Sequence, residues 1–208
     1  TWYVPANAMP GAAAARFRID TAGGLGAGGL APDGEVQDYL LALTGLDFGD
    51  ANGAFPVLLA DDGARHGLPT TRWLGSAPDA EADGQPFNGI GDDSSGRDDE
   101  DGVSWNSPLL GGLTSVVAVT ASGAGRLNLW VDFDGNSSWG DAGEHAVVDQ
   151  VLTAGVNHIH VGVPSGVVTG VAMARVRFSG EAGLSFTGAA ADGEVEDYAV
   201  TLAQPPEN

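Results

Sequence analysis

The run Leu127-Asn128-Leu129-Trp130-Val131-Asp132-Phe133-Asp134 alternates strictly between apolar and mostly polar positions. Successive side chains of a strand point to opposite faces, so Leu127, Leu129, Val131 and Phe133 are predicted to share a buried face. Asn128, Trp130, Asp132 and Asp134 fall on the other. Period-two runs of the same kind recur at residues 114–121, 156–163, 171–178 and 195–202, separated by Gly- or Pro-containing breaks. No window of about 11 residues carries a 3.6-residue period. Several short strands at this spacing predict an all-β chain, an antiparallel β-sandwich of jelly-roll or Greek-key type.

The same run leads into an acidic turn. Asp132, Asp134 and Asn136 present oxygen donors at alternate positions, Gly135 allows a sharp bend, and Asp141 and Glu144 stand ready to close a shell. A hard cation such as Ca²⁺ takes six to eight oxygens, so these five residues are the candidate metal ligands. The spacing is not that of an EF-hand, because the glycine falls too early in the loop. A solvated hairpin turn built from the same favoured turn residues is the competing account. Trp130 and Trp139 flank the turn and are candidates for stacking on a sugar ring. His158 and His160, two apart on one strand face, are better explained as a solvent-facing pair than as a metal site.

Working outward, Asp33-Gly34-Glu35-Val36-Gln37-Asp38-Tyr39 recurs as Asp192-Gly193-Glu194-Val195-Glu196-Asp197-Tyr198. Aligned without a gap, residues 1–44 and 160–203 share 18 identities, including Val4-Pro5 with Val163-Pro164, Arg16 with Arg175 and Arg18 with Arg177. An internal repeat follows. Residues 1–44 read as the closing part of one unit, 45–103 as an ordered acidic spacer, 104–204 as a complete unit and 205–208 as a tail. The spacer carries Phe55, Val57, Leu58, Trp73 and Phe87, too many apolar anchors for a free linker. In the repeated motif, Asp192 and Glu194 are predicted to pair with Arg175 or Arg177 of the preceding strand, with Asp197 on the opposite side from Tyr198. That structural role is favoured over a metal site there.

Composition narrows the function. The chain of 208 residues carries 28 acidic and 8 basic residues, a formal net charge of −20; every basic residue is Arg. Such a surface disfavours nucleic acid and anionic lipid, and makes divalent cations the natural counter-charges. No apolar run approaches the ~18–20 residues of a membrane-spanning helix, so membrane insertion is not expected. Cysteine is missing, which removes disulfides and thiolate chemistry. The start at Thr1 carries no leader pattern, and any secretory signal is expected to lie outside these residues or to have been removed. No nucleophile elbow, zinc-protease helix motif or phosphate-binding loop is found, so an enzyme is not expected.

The Gly193–Asp197 pentapeptide, the acidic turn at Asp132–Asn136 with Asp141–Glu144, Ala174-Arg175-Val176-Arg177-Phe178, and the spacer segments around Asp47-Phe48-Gly49-Asp50, Asp62–His66 and Leu74-Gly75-Ser76 together resemble the GEVED family. The resemblance implies a module of large secreted or surface-anchored bacterial proteins, often repetitive and adhesin-like, with no assigned catalysis. It departs in the first copy, where Gln37 stands in place of Glu196. The reading is therefore a noncatalytic extracellular structural or adhesive module of a surface protein or fibre, calcium-stabilised, with neighbouring repeats or identical subunits as partners, joined by strand addition. The alternative is a carbohydrate-binding module attached to a larger secreted enzyme, contacting surface glycans through Trp130 or Trp139.

Overall fold

The computed structural model describes residues 11–89 and 99–207. The Val4-Pro5 match and residues 92–98 of the acidic run lie outside them. The described residues are all β apart from one 3₁₀ turn at Leu59–Asp61. They divide into two units, residues 1–44 and 45–208.

In the first unit β1 (Gly11–Ile19) and β2 (Glu35–Leu43) form an antiparallel hairpin in which Arg16 faces Asp38. The strands are bordered by glycine-rich chain, and Gly34 sits at a φ of 99°. A Cβ there would run into the Ile19 carbonyl, so the turn into β2 requires glycine.

The second unit begins with β3 (Gly45–Phe48) and β4 (Arg65–Leu68). Two short strands follow, β5 (Val103–Ser104) and β6 (Leu109–Leu110), and then β7 (Thr114–Ala121), β8 (Gly125–Val131), β9 (His145–Leu152), β10 (Gly155–Gly162), β11 (Gly170–Ser179), β12 (Ala189–Ala190) and β13 (Glu194–Ala203). Three sheets result: β6-β13-β11-β8-β9, β10-β7-β5 and β12-β4-β3. The first two supply the main core. Leu127, Leu129, Val131, Val176, Phe178 and Leu202 from the larger sheet pack with Val117, Val119, Ile159 and Val161 from the smaller. The β-sandwich is thus present, with the predicted face of β8 turned inward.

The other face of the larger sheet is covered as well. Phe55 and Val57 pack with Trp130, Trp139 and Met173, and His66 of β4 contacts Arg177 of β11. Residues 45–68 therefore form a third layer, and this explains why β8 and β11 are buried at nearly every position instead of at alternate ones. Asn128, Trp130 and Asp132, on the face opposite the core, are all nearly inaccessible for this reason. Phe55 and Val57, two of the spacer's apolar anchors, thus belong to the second unit. Strand β9 was not foreseen, because register shifts against β8 around Leu127–Trp130 break its alternation.

Candidate functional site

The acidic turn leaves β8 at Asp132, whose backbone N–H donates to the Met173 carbonyl at 3.0 Å. The chain then curls around the Asp132 side chain. Its Oδ1 accepts from the N–H groups of Gly135 (2.8 Å) and Asn136 (3.1 Å), and its Oδ2 from Ser137 (3.0 Å). Positive φ values at Gly135 (72°) and Ser137 (65°) make this curl possible. Glu144, just before β9, closes the turn: Oε1 accepts from Phe133 N–H at 3.1 Å and Oε2 from Asp141 N–H at 3.2 Å. Burial pushes the Glu144 carboxyl above its ordinary range, with the charges of Asp134 and Asp132 adding to the effect against those two N–H donors. Oxygens of Asp132, Asp134 and Glu144 lie within 4.8 Å of one another. Asn136 and Asp141 take a different place. The Asn136 amide donates to Asp134 at 3.2 Å and to Asp141 at 2.8 Å, so these two residues brace the turn. Three of the five candidate ligands are brought together in a form that suits a hard, oxygen-preferring cation.

The repeated motif does something the spacing alone did not disclose. Each residue from Asp192 to Asp197 reaches into residues 47–102. Asp192 bonds the Arg72 guanidinium at 2.5 Å, and Gly193 N–H donates to Thr70 Oγ1 at 2.9 Å. Glu194 accepts from Leu74 N–H. Val195 N–H donates to Asp47 Oδ2 at 2.8 Å, and Glu196 Oε1 accepts from Gly102 N–H at 2.8 Å. Asp197 accepts from Ala51 N–H at 2.8 Å and takes the Arg175 guanidinium in two bonds of 2.8 and 2.6 Å. Gly193, at a φ of 102°, admits no side chain: a Cβ would strike the Phe178 carbonyl and sit 2.8 Å from His66. The strip from Asp192 to Asp197 is a binding edge for the polypeptide that precedes the sandwich.

This corrects the expected pairing. Arg175 pairs with Asp197, not with Asp192 or Glu194, because the two lie directly opposite in the β11–β13 register. Among the described residues Arg177 makes no carboxylate pair. It donates to the carbonyls of Ser185, Thr187 and Gly188 and, through Nε, to His66 Nε2 at 3.0 Å. His66 Nδ1 must then be the protonated nitrogen, since its partner at 2.7 Å is the Asp192 carbonyl, which can only accept. Burial, with the Arg177 charge beside it, lowers His66 to about 3. His66 and Asp47 were not singled out from sequence, and the signal that could have found them was the spacer segments in which they stand.

The aromatic candidates are also corrected. Trp130 is 2% exposed and Trp139 1%. Trp130 stacks on His145, while Trp139 lies against Phe55 with the Arg175 guanidinium 4.5 Å above its ring and its indole N–H bonded to the Met173 carbonyl. Neither ring has a face free for a sugar. His158 and His160 are exposed on β10, and among the described residues neither joins a group of three metal-donor atoms.

A sequence model of the GEVED domain matches residues 126–201. The span takes in β8, the acidic turn, β11 and the motif strand β13, so the GEVED resemblance holds over these residues. No curated protein and no solved structure matches the chain.

Proposed function

We propose that this chain is a noncatalytic structural module of a repetitive bacterial protein displayed outside the cell. Its GEVED strip fastens the inter-repeat segment to the sandwich that follows. One observation carries the reading: every residue from Asp192 to Asp197 bonds the segment 47–102 through its side chain or its backbone N–H. Calcium held by Asp132, Asp134 and Glu144 stiffens the turn between β8 and β9, since a ligand that binds the native state raises its stability.

The hairpin β1–β2 supports assembly through neighbours. It exposes apolar residues on both faces, with Tyr39 at 48% and Leu41 at 40% on one and Leu40 at 86% on the other. A shallow depression of about 430 Å³ lies among Phe17, Gln37, Tyr39 and Leu41. In an array or fibre this face is covered by a neighbouring repeat or an identical subunit, whose strand addition also satisfies the hairpin's edges. Light scattering and electron microscopy of the 208-residue chain test this. Concentration-dependent association is expected; a compact monomer at high concentration, with residues 11–43 resistant to protease, would overturn it.

A further inference from the structure

We propose that Asp47, Glu194 and Glu196 form a second calcium site, distinct from the acidic turn, in which the ion ties β3 to the motif strand β13. All three carboxylates are nearly inaccessible, at 3%, 1% and 1% exposure. Each has one oxygen committed to a backbone N–H: Asp47 to Val195, Glu194 to Leu74 and Glu196 to Gly102. The second oxygens of the two glutamates, Glu194 Oε1 and Glu196 Oε2, are buried and have no hydrogen-bond partner. Glu194 and Glu196 stand two apart on one face of β13; Glu194 feels the charges of Glu196, Asp47 and buried Asp99, and Glu196 those of Asp101 and Asp99. The four ion pairs among the described residues join Arg16 to Asp38, Arg65 to Asp62, Arg72 to Asp192 and Arg175 to Asp197, and none includes these three acids.

An ionised Glu194–Glu196 pair buries like charges together, with no counter-ion among the described residues, which is unfavourable. A hard divalent cation satisfies both oxygens at once. One oxygen fixed by a backbone donor and the other left free is also how ligating carboxylates are oriented. Calcium fits better than magnesium because it accepts carboxylates at 2.3–2.6 Å in flexible geometry, with about six to eight ligands. Only the acidic turn brings three donor atoms within 4.8 Å of one another among the described residues, so binding at β13 draws the carboxylates inward. Burial, followed by the carboxylate neighbours, pushes Glu196 up to about 8 and raises Glu194 and Asp47.

The first repeat provides an internal control. Gln37 occupies the position equivalent to Glu196, and its amide donates to Glu35 Oε1 at 2.6 Å. Glu196→Gln should reproduce that Glu–Gln pair and keep the fold while removing the ion.

Calcium calorimetry on the 208-residue chain tests the proposal. Wild type should bind two equivalents. Asp134→Asn should retain one equivalent, and Glu196→Gln should retain the other. If Glu196→Gln loses its β-sheet circular dichroism, Glu194→Gln takes its place. A single equivalent abolished by Asp134→Asn and untouched by Glu196→Gln or Glu194→Gln overturns this site and leaves the turn standing. The opposite result upholds this site and removes the turn. No binding in wild type overturns both.

Discussion

The hairpin β1–β2 and its counterpart β11–β13 are the same structure in two surroundings. Arg16 pairs with Asp38 through two bonds of 2.6 and 2.7 Å, as Arg175 pairs with Asp197. Arg18 donates to the carbonyls of Gly26, Gly28 and Gly29, and Arg177 to those of Ser185, Thr187 and Gly188, each partner displaced by the same repeat offset. Asp33 caps Thr21 N–H as Asp192 caps Gly180 N–H. The loop and its two arginines therefore fold from local instructions alone. What differs is cover. The Arg16–Asp38 side chains are 48% and 58% exposed, whereas those of Arg175 and Asp197 are fully enclosed by residues 49–56 and Trp139. One arrangement thus serves as a surface clasp in the first copy and as a buried anchor in the second.

The sharpest way to break the comparison is to remove the same guanidinium from both copies. Arg175→Ala leaves Asp197 ionised and buried with only the Ala51 N–H for company, a loss of about 3–5 kcal/mol by the usual cost of an uncompensated buried charge. Arg16→Ala leaves Asp38 in water and should not move the melting transition detectably. Urea unfolding of the two variants side by side checks this. Equal losses would mean that burial is not what separates the copies.

A smaller effect is expected from the paired glycines. Both Gly34 and Gly193 hold positive φ and press on a strand carbonyl, so alanine is strained in either. The cost of forcing such a conformation is about 1–3 kcal/mol. Gly193→Ala should be the worse of the two, because its Cβ also meets the His66 ring and thereby disturbs Arg177. Denaturant midpoints that rank Gly34→Ala as more damaging would count against the anchoring role of β4.

His66 gives the second copy a pH dependence with no counterpart in the first. Its folded value of about 3 lies below the ordinary 6.5, so the unfolded chain binds a proton that the folded chain refuses. The contribution is fully present above pH 6.5 and declines toward pH 3, with a limiting slope of about 1.4 kcal/mol per pH unit. Asp47, Glu194 and Glu196 pull the opposite way. Their raised values favour the calcium-free fold below their unfolded range and lose that benefit as pH rises, for Glu196 through about 8. Comparing wild type with His66→Gln at each pH separates the two, since both proteins keep the carboxylates. The stability gap should narrow steadily from pH 7 to pH 4, and a constant gap would show that His66 does not carry the slope.

Much of the fold was legible in the sequence, and for a definable reason. Strands β7, β10, β11 and β13 follow period two because their core-facing residues alternate with exposed or differently packed ones, and Thr114–Ala121 was read to the residue. The acidic turn was legible because all its donors lie within 13 residues of chain, from Asp132 to Glu144. The third layer was not. Asp47 meets Val195 and His66 meets Arg177 across more than a hundred residues, and nothing local in residues 45–68 says which face they cover. The tryptophans were misjudged for the same reason: beside a turn they looked exposed, and only the distant Phe55 and Arg175 bury Trp139. The choice of Arg partner was likewise open until register placed Asp197 opposite Arg175.

The mildest substitution asks whether the motif's second glutamate is enough by itself. Gln37→Glu turns the first copy's strip into the sequence of the second, placing a carboxylate beside Glu35 on an exposed strand. The pair loses the amide bond between Gln37 and Glu35, but both side chains are open to water, which screens their repulsion. The melting temperature should stay where it is. No further calcium equivalent should appear in the calorimetric titration, because the site on β13 draws on Asp47 and on oxygens oriented by the N–H groups of Leu74 and Gly102, all supplied by the segment packed over the second copy. If Gln37→Glu does gain an equivalent, two glutamates on one strand face suffice, and the covering segment is a consequence of metal binding in the second copy instead of its condition.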